Sequence, residues 1–322
     1  MAKSRKQIIE TAIIEAGREH ARLNTDYDYP VDIFSIVESK NIVLMFQPLG
    51  SLAGAYLPEQ KKEGVPAGIL INKNLPLSKQ RYSAAHEYCH FLRNDPISLD
   101  TEEELFQLPE YKRDDKERIA ETFASQFLLP RPLVLKQMKQ LEISRDNITP
   151  VQVYTLALRL GTSFSATLNQ LLALKIISER IFKRTQAIQP KVIKKSLGDD
   201  GLATPWNDIW EINKNDNGNM LAPKKGDILK INLDENPATG FIWKCFPYEG
   251  VDFLADVYTS NDKSIGSGGT KTFTVQLQEE INTQIDLKLL QPWVPNEVLE
   301  AFILNLQVQS KRQGVSESLL IG

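Results

Sequence analysis

Histidine and cysteine are both scarce in this chain of 322 residues: His20, His86 and His90 are the only histidines, Cys89 and Cys245 the only cysteines. Two cysteines so far apart exclude a disulfide framework and suit a reducing compartment, so a cytoplasmic location is expected. No uninterrupted apolar run is long enough to span a bilayer. The stretch Met1–Asn24 lacks the continuous apolar core and the small-residue cleavage site of a secretory signal. With 38 basic and 41 acidic residues the formal net charge is −3, which gives no reason to expect a general affinity for nucleic acid or acidic membranes.

What is present divides into two domains, for which the length is sufficient. Up to about residue 185 helical and strand patterns mix. Ile8, Ile9, Ala12, Ile13 and Ala16 recur at helical spacing, and a short helix follows Pro30. Strand-like runs cover 41–46, 52–57 and 68–72, and Ser78 is a candidate N-cap for a helix through residues 86–90. Residues 117–129 are again helical in period, ended by Pro130 and Pro132. Thr149-Pro150-Val151-Gln152 reads as a capping box with proline at the first helical position, opening a helix-turn-helix arrangement over 151–184. After residue 205 the period becomes two. Leu229, Ile231 and Leu233 alternate with polar residues, as do Phe273, Val275 and Leu277, then Ile285, Leu287 and Leu289, and Leu304, Leu306 and Val308, the pattern of an all-β sandwich. The expected division is therefore a mixed α+β domain at 1–185 (its helical part at 150–185), a linker at 186–205 and a β-sandwich at 206–322.

The run His86-Glu87-Tyr88-Cys89-His90 carries the sharpest chemical signal. At about 100° per residue, the two histidines lie roughly 40° apart on one helix face and can reach a single ion. Glu87, about 60° from His90, can take a proton from water activated by that ion without ligating it. Two solvated histidines on a helix are the bland alternative, and matches of this length do occur in non-enzymes. A catalytic zinc needs a third protein ligand. Glu102, Glu103, Glu104, Asp114 and Asp115 lie in the charged stretch 100–115, read as solvated. Glu117 instead heads a stripe with Ala120, Glu121, Ala124 and Leu128, which makes sense if that face packs on the histidine helix. Glu121, one turn on, can support a ligand histidine by a hydrogen bond. Cys89 is read as a packing residue.

These residues have a wider context. Gly68-Ile69-Leu70-Ile71-Asn72, then Gln80 through His90, then Glu117-Arg118-Ile119-Ala120-Glu121-Thr122-Phe123-Ala124 and Leu128-Leu129-Pro130, together with Tyr29-Pro30-Val31-Asp32, resemble the ImmA/IrrE family of metallopeptidases over about residues 1–180. The resemblance implies a zincin-like fold, a zinc ion (manganese or iron also suits such ligands), Glu117 as third ligand and limited proteolysis of a helix-turn-helix transcriptional repressor. The chain departs from that family at Glu121, where Asn or Asp is usual, and at Cys89, which replaces the commoner glycine.

In the second half, Asn236-Pro237-Ala238-Thr239-Gly240-Phe241-Ile242-Trp243, then Gly266-Ser267-Gly268-Gly269, then Gln291-Pro292-Trp293 are similar to the three loops of chagasin-like inhibitors of papain-type cysteine peptidases. That resemblance implies an immunoglobulin-like sandwich presenting Asn236, Pro237, Thr239, Gly240, Phe241, Gly266, Gly268, Gly269, Pro292 and Trp293 at one end. Gln291 departs from the arginine usual at that point. Two functions are thus expected. One is an intracellular zinc endopeptidase acting on a regulatory protein, with an inhibitor-like partner-binding domain. The alternative is a binding protein that inhibits a papain-type peptidase, with the metallopeptidase-like half as sensor or scaffold. No direct nucleic-acid or membrane partner is expected: the basic residues of 151–184 form no recognition-helix cluster.

Overall fold

Ser4 accepts a hydrogen bond from the Gln7 amide while the Gln7 side chain accepts one from the Ser4 amide, and this reciprocal cap opens the first helix. The computed structural model describes residues 4–106, 114–198, 204, 207–261, 266–294 and 297–315. They divide into two compact units, the first made of Met1–Gln137, Leu160–Ser178 and Lys311–Gly322, the second of Met138–Arg159 and Glu179–Ser310.

In the first unit, α1 (Arg5–Leu23) and α2 (Ile33–Glu38) precede strands β1 (Val43–Gln47), β2 (Leu52–Leu57) and β3 (Gly68–Asn72). Helix α3 (Leu77–Arg93) follows, then β4 (Ser98–Thr101), α4 (Glu102–Phe106), α5 (Asp115–Leu128) and α6 (Arg131–Gln140), which passes into the second unit at Met138. Helix α3 starts one residue ahead of Ser78, at Pro76–Leu77, and no side chain caps it. Strands β1 and β3 run parallel, β2 pairs antiparallel with β3, and β4 pairs antiparallel with the far edge of β2. Small side chains let α3 lie close against this sheet and against α5: Ala84, Ala85 and Cys89 are fully buried, as are Ala120 and Ala124 facing them from α5.

The sequence expectation of a helix-turn-helix at 151–184 resolves into α7 (Pro150–Leu160) and α8 (Phe164–Ala173), turning at Gly161 with φ +63°. Thr149 and Gln152 make the anticipated reciprocal cap. All but the last residue of α7 belong to the second unit, however. The Tyr154 hydroxyl donates to Asp208 Oδ1 and accepts from the Ile209 amide, and the Arg159 guanidinium meets Asp216 at 2.8 Å with both side chains 2% exposed. These polar anchors tie the helix to the β unit. Of the expected linker at 186–205, residues Pro190–Leu197 form α10, after α9 (Glu179–Gln186), while 199–203 and 205, like residue 206 at the start of the expected sandwich, lie outside the described residues.

The second unit continues with β5 (Ile209–Asn213), β6 (Met220–Leu221), β7 (Ile228–Glu235), β8 (Ile242–Cys245), β9 (Val251–Ser260), β10 (Gly269–Leu277), β11 (Asn282–Leu290) and β12 (Val298–Gln307). They form two four-stranded sheets, β5-β7-β10-β9 and β6-β12-β11-β8. Trp210, Leu229, Ile231 and Phe273 of one sheet share a core with Trp243, Ile285, Leu287 and Leu304 of the other, as the alternation in the sequence requires. The last described strand, β13 (Gly314–Val315), pairs antiparallel with β1 and makes the first sheet five-stranded. None of the helices among the described residues is long and apolar enough to cross a membrane.

Candidate active site

Helix α3 presents His86 and His90 on one face, as the four-residue spacing requires, with their Nε2 atoms 3.2 Å apart. Glu117, in the first turn of α5, brings Oε2 to 3.0 Å from His86 Nε2 and 3.5 Å from His90 Nε2. A fourth group joins them. Asp100 of β4 places Oδ2 3.6 Å from His86 Nε2, and the donor atoms of all four residues lie within 4.8 Å of one another. Four ligands held about 2.0–2.2 Å from a tetrahedral ion sit about 3.3–3.6 Å apart, so this donor set fits a small divalent cation such as zinc.

Glu87 lies beside this set. Its two carboxylate oxygens are buried and accept from no amide, hydroxyl or cationic group among the described residues, the Asp100 carboxyl being the group within hydrogen-bonding reach. The room for it comes from Gly54 of β2, where a Cβ would stand 2.7 Å from Glu87 Oε1. Burial first, then repulsion by Asp100 and Glu117, pushes the Glu87 carboxyl well above the ordinary range, the direction that suits a proton carrier near neutral pH. Burial likewise raises Asp100, helped by the Glu117 charge and opposed by His86. At Glu117 burial also works upward, but hydrogen bonds and charge from His86 and His90 outweigh it and hold the carboxyl far below its usual value. Burial disfavours the charged form of His90, yet the Glu117 bond and charge, with Asp95 adding to them, raise it on balance.

Asp95 is the carboxylate that orients His90, at 3.0 Å from Nδ1. Asn94 makes this possible: it ends α3 in the left-handed conformation (φ 52°) and turns Asp95 back beneath the ring. His86 Nδ1 has no such partner among the described residues. Glu121, expected in this supporting role, is half-buried on α5, and its backbone carbonyl accepts a hydrogen bond from the Tyr82 hydroxyl. Cys89 is fully buried, with its thiol pushed well up by burial, consistent with packing. The histidine pair and Glu117 were readable from spacing. Asp100 and Asp95 were not, since their approach depends on strand pairing and on a turn. The one signal for Asp100 is reversed polarity: in 97–100 the apolar Ile97 and Leu99 are 57% and 58% exposed while the aspartate is 6% exposed.

In the second unit the three glycine- and proline-rich loops meet. Asn236 Oδ1 accepts from the Ala238 amide and starts a single 3₁₀ turn at Pro237–Thr239, closed by Gly240 at φ +82°. The Thr239 hydroxyl donates to Asn236 O and accepts from the Phe241 amide. Asn236 Nδ2 donates across to Gly266 O of the second loop. The Trp293 indole of the third lies against Gly240, where a Cβ would stand 2.9 Å from the ring, and is itself 68% exposed. At Gly269 a Cβ would come within 2.3 Å of Thr259 O, so only glycine admits this strand register; Gly268 has ordinary room, and Pro292 is exposed.

Residues 37–172 match the profile of the IrrE N-terminal-like domain, and residues 223–308 that of the Chagasin family peptidase inhibitor I42. Chagasin of Trypanosoma cruzi is 30% identical over 105 residues, which cover 30% of this chain and 96% of chagasin. The chain belongs to the chagasin family, fused to an IrrE N-terminal-like domain. The chagasin-family domain contains all three converging loops, and the IrrE-like domain contains His86, Glu87, His90, Asp95, Asp100 and Glu117. Among solved structures, a cysteine protease inhibitor of Entamoeba histolytica is 19% identical, covering 33% of this chain and 100% of its own, with a TM-score of 0.31. Amebosin is 27% identical over 32% of this chain and 98% of its own, with a TM-score of 0.26.

Proposed function

We propose that the IrrE-like half is a zinc-dependent endopeptidase with a zincin-like fold, acting in the cytoplasm on a regulatory protein such as a helix-turn-helix repressor. The observation that carries this reading is the convergence of two imidazoles and Glu117 beside a fully buried carboxyl, Glu87. His86, His90 and Glu117 hold the ion, and Asp95 fixes the ring of His90. When bound, the ion acidifies a water and polarises the scissile carbonyl. Glu87 takes the proton at its carboxylate and delivers it to the leaving amine. The low-dielectric surroundings favour a protonated carboxyl between these two events.

Replacing Glu87 by Gln tests this. The variant is expected to bind one zinc per chain, measured by elemental analysis, and to yield no new termini when co-expressed with candidate repressors that the wild type cleaves. Cleavage at wild-type rate by Glu87→Gln would overturn the mechanism.

A second reading rests on the meeting of the three loops, which suits an immunoglobulin-like domain that wedges an exposed Trp293 and the 236–241 turn into a papain-type cleft. In the first reading this end recruits or regulates a cysteine peptidase partner. In the second, inhibition is the main activity and the IrrE-like half is a sensor or scaffold. The full chain with Glu87→Gln is expected to inhibit papain stoichiometrically, read by hydrolysis of a fluorogenic peptide. Papain left fully active by a large excess of the protein would dismiss both roles.

A further inference from the structure

Asp100 has no place in the reading above, and its position is unusual. A strand that packs by the hydrophobic effect turns its apolar residues inward. Strand β4 does the reverse, exposing Leu99 and burying Asp100. A buried carboxylate is costly without a compensating charge. The partners within reach are His86 Nε2 at 3.6 Å and the Ser98 hydroxyl, which donates to Asp100 Oδ2 at 2.9 Å. Of the other neighbours, the Glu117 charge makes matters worse, while the Glu87 carboxyl crowds the same space and shares a hydrogen bond with Asp100. Three carboxylates converging on two imidazoles call for a cation, and Asp100 Oδ2 is one of the four atoms grouped to hold it.

We infer that Asp100 is a fourth protein ligand of the metal, so that in this conformation the site is closed. The inference rests on the metal site proposed above. Sites with four protein ligands are structural, whereas catalytic ones keep a position open for water or substrate. Glu117 and Asp100 together neutralise a divalent ion, giving a resting site that no water attacks from.

The carrier of Asp100 explains how the site opens. Gly54 of β2 is paired with Asp100 of β4, and the same Gly54 lies against Glu87. Strand β4 is short, lies at the sheet edge, and its ladder to β2 is irregular between Leu52 and Gly54. The β2 edge beneath it is where an extended peptide can add as a strand beside Glu87. A substrate segment that takes this edge displaces β4 and withdraws Asp100 from the ion. Binding and unlatching are then one event, and the enzyme is silent towards proteins that cannot offer an extended segment.

The test uses the full chain stripped of metal and reloaded with cobalt or zinc. Azide, a small anion that needs an open coordination position, is expected to leave the visible spectrum of the wild-type cobalt protein unchanged. It should alter the spectrum of Asp100→Asn. Zinc affinity, by competition with a chromophoric chelator, should fall at least about tenfold in Asp100→Asn. Azide perturbing the wild type would overturn the inference, as would equal zinc affinity of the two proteins. Because the azide experiment on the wild type stands alone, a variant that does not fold leaves the inference open to refutation. Failure of the wild type to bind zinc at all would defeat the metallopeptidase reading as well, whereas tight binding with an open position defeats only the latch.

Discussion

Gly54 shows how much of the candidate site depends on a residue with no side chain. Its φ is not positive, so glycine is required here for space and not for backbone conformation. Alanine would set a methyl group 2.7 Å from Glu87 Oε1. Gly54→Ala is expected to displace the Glu87 carboxylate and reduce peptide cleavage by 10-fold or more, on the order of the loss that follows misplacement of a catalytic group. It should retain zinc stoichiometry, since the three atoms nearest the added methyl group all belong to Glu87, which does not ligate the ion. Overpacking there costs about 1–3 kcal/mol, readable as a lower denaturant midpoint; unchanged turnover would show that Glu87 is not held against the strand. At this scale the sequence disclosed what lies within one helix. His86 and His90 meet because four residues make about one turn. Asp95 escapes such a reading, because it reaches His90 only through the left-handed Asn94, and Asp100 escapes it because only the pairing of Gly54 with Asp100 turns it inward.

Among the elements, the strands with one buried face were legible. Strands β7, β10, β11 and β12 carry alternating apolar residues, and the two sheets bury those faces in a single core. Strand β9 was not, for a physical reason: at the edge of its sheet it buries no residue fully, and Phe253, Leu254 and Val257 are all exposed. Helix α7 was recognised as a helix, but its membership was not. What assigns it to the second unit is a buried ion pair with Asp216, fifty-seven positions along the chain, and amphipathic spacing cannot reveal which surface a helix will meet. Asp216 also accepts the Asn213 amide, so it locks the end of β5 as well. Asp216→Ala strands a guanidinium that is 2% exposed and is expected to cost about 3–5 kcal/mol. Urea unfolding followed by the fluorescence of Trp210, which lies 5.8 Å from that guanidinium, would read the loss. A change below about 1 kcal/mol would mean that the pair is no better than a surface bridge.

Over the whole molecule, the two family matches suggest a simple tandem, the first ending at residue 172 and the second beginning at 223. The compact units do not respect that order. Residues 138–159 fall inside the IrrE-like match yet belong with the β unit, and residues 311–315 follow the chagasin-family match yet belong with the first. There Arg312 exchanges two main-chain hydrogen bonds with the side chain of Gln80, which is fully buried, and Gly314–Val315 add a strand beside β1. The consequence is genetic. A recombination breakpoint between 172 and 223 would pass on two incomplete inheritances, one lacking the strand that borders β1 and one lacking the helix whose arginine neutralises Asp216. Each half, parted there, loses a buried contact that a segment encoded in the other half supplies.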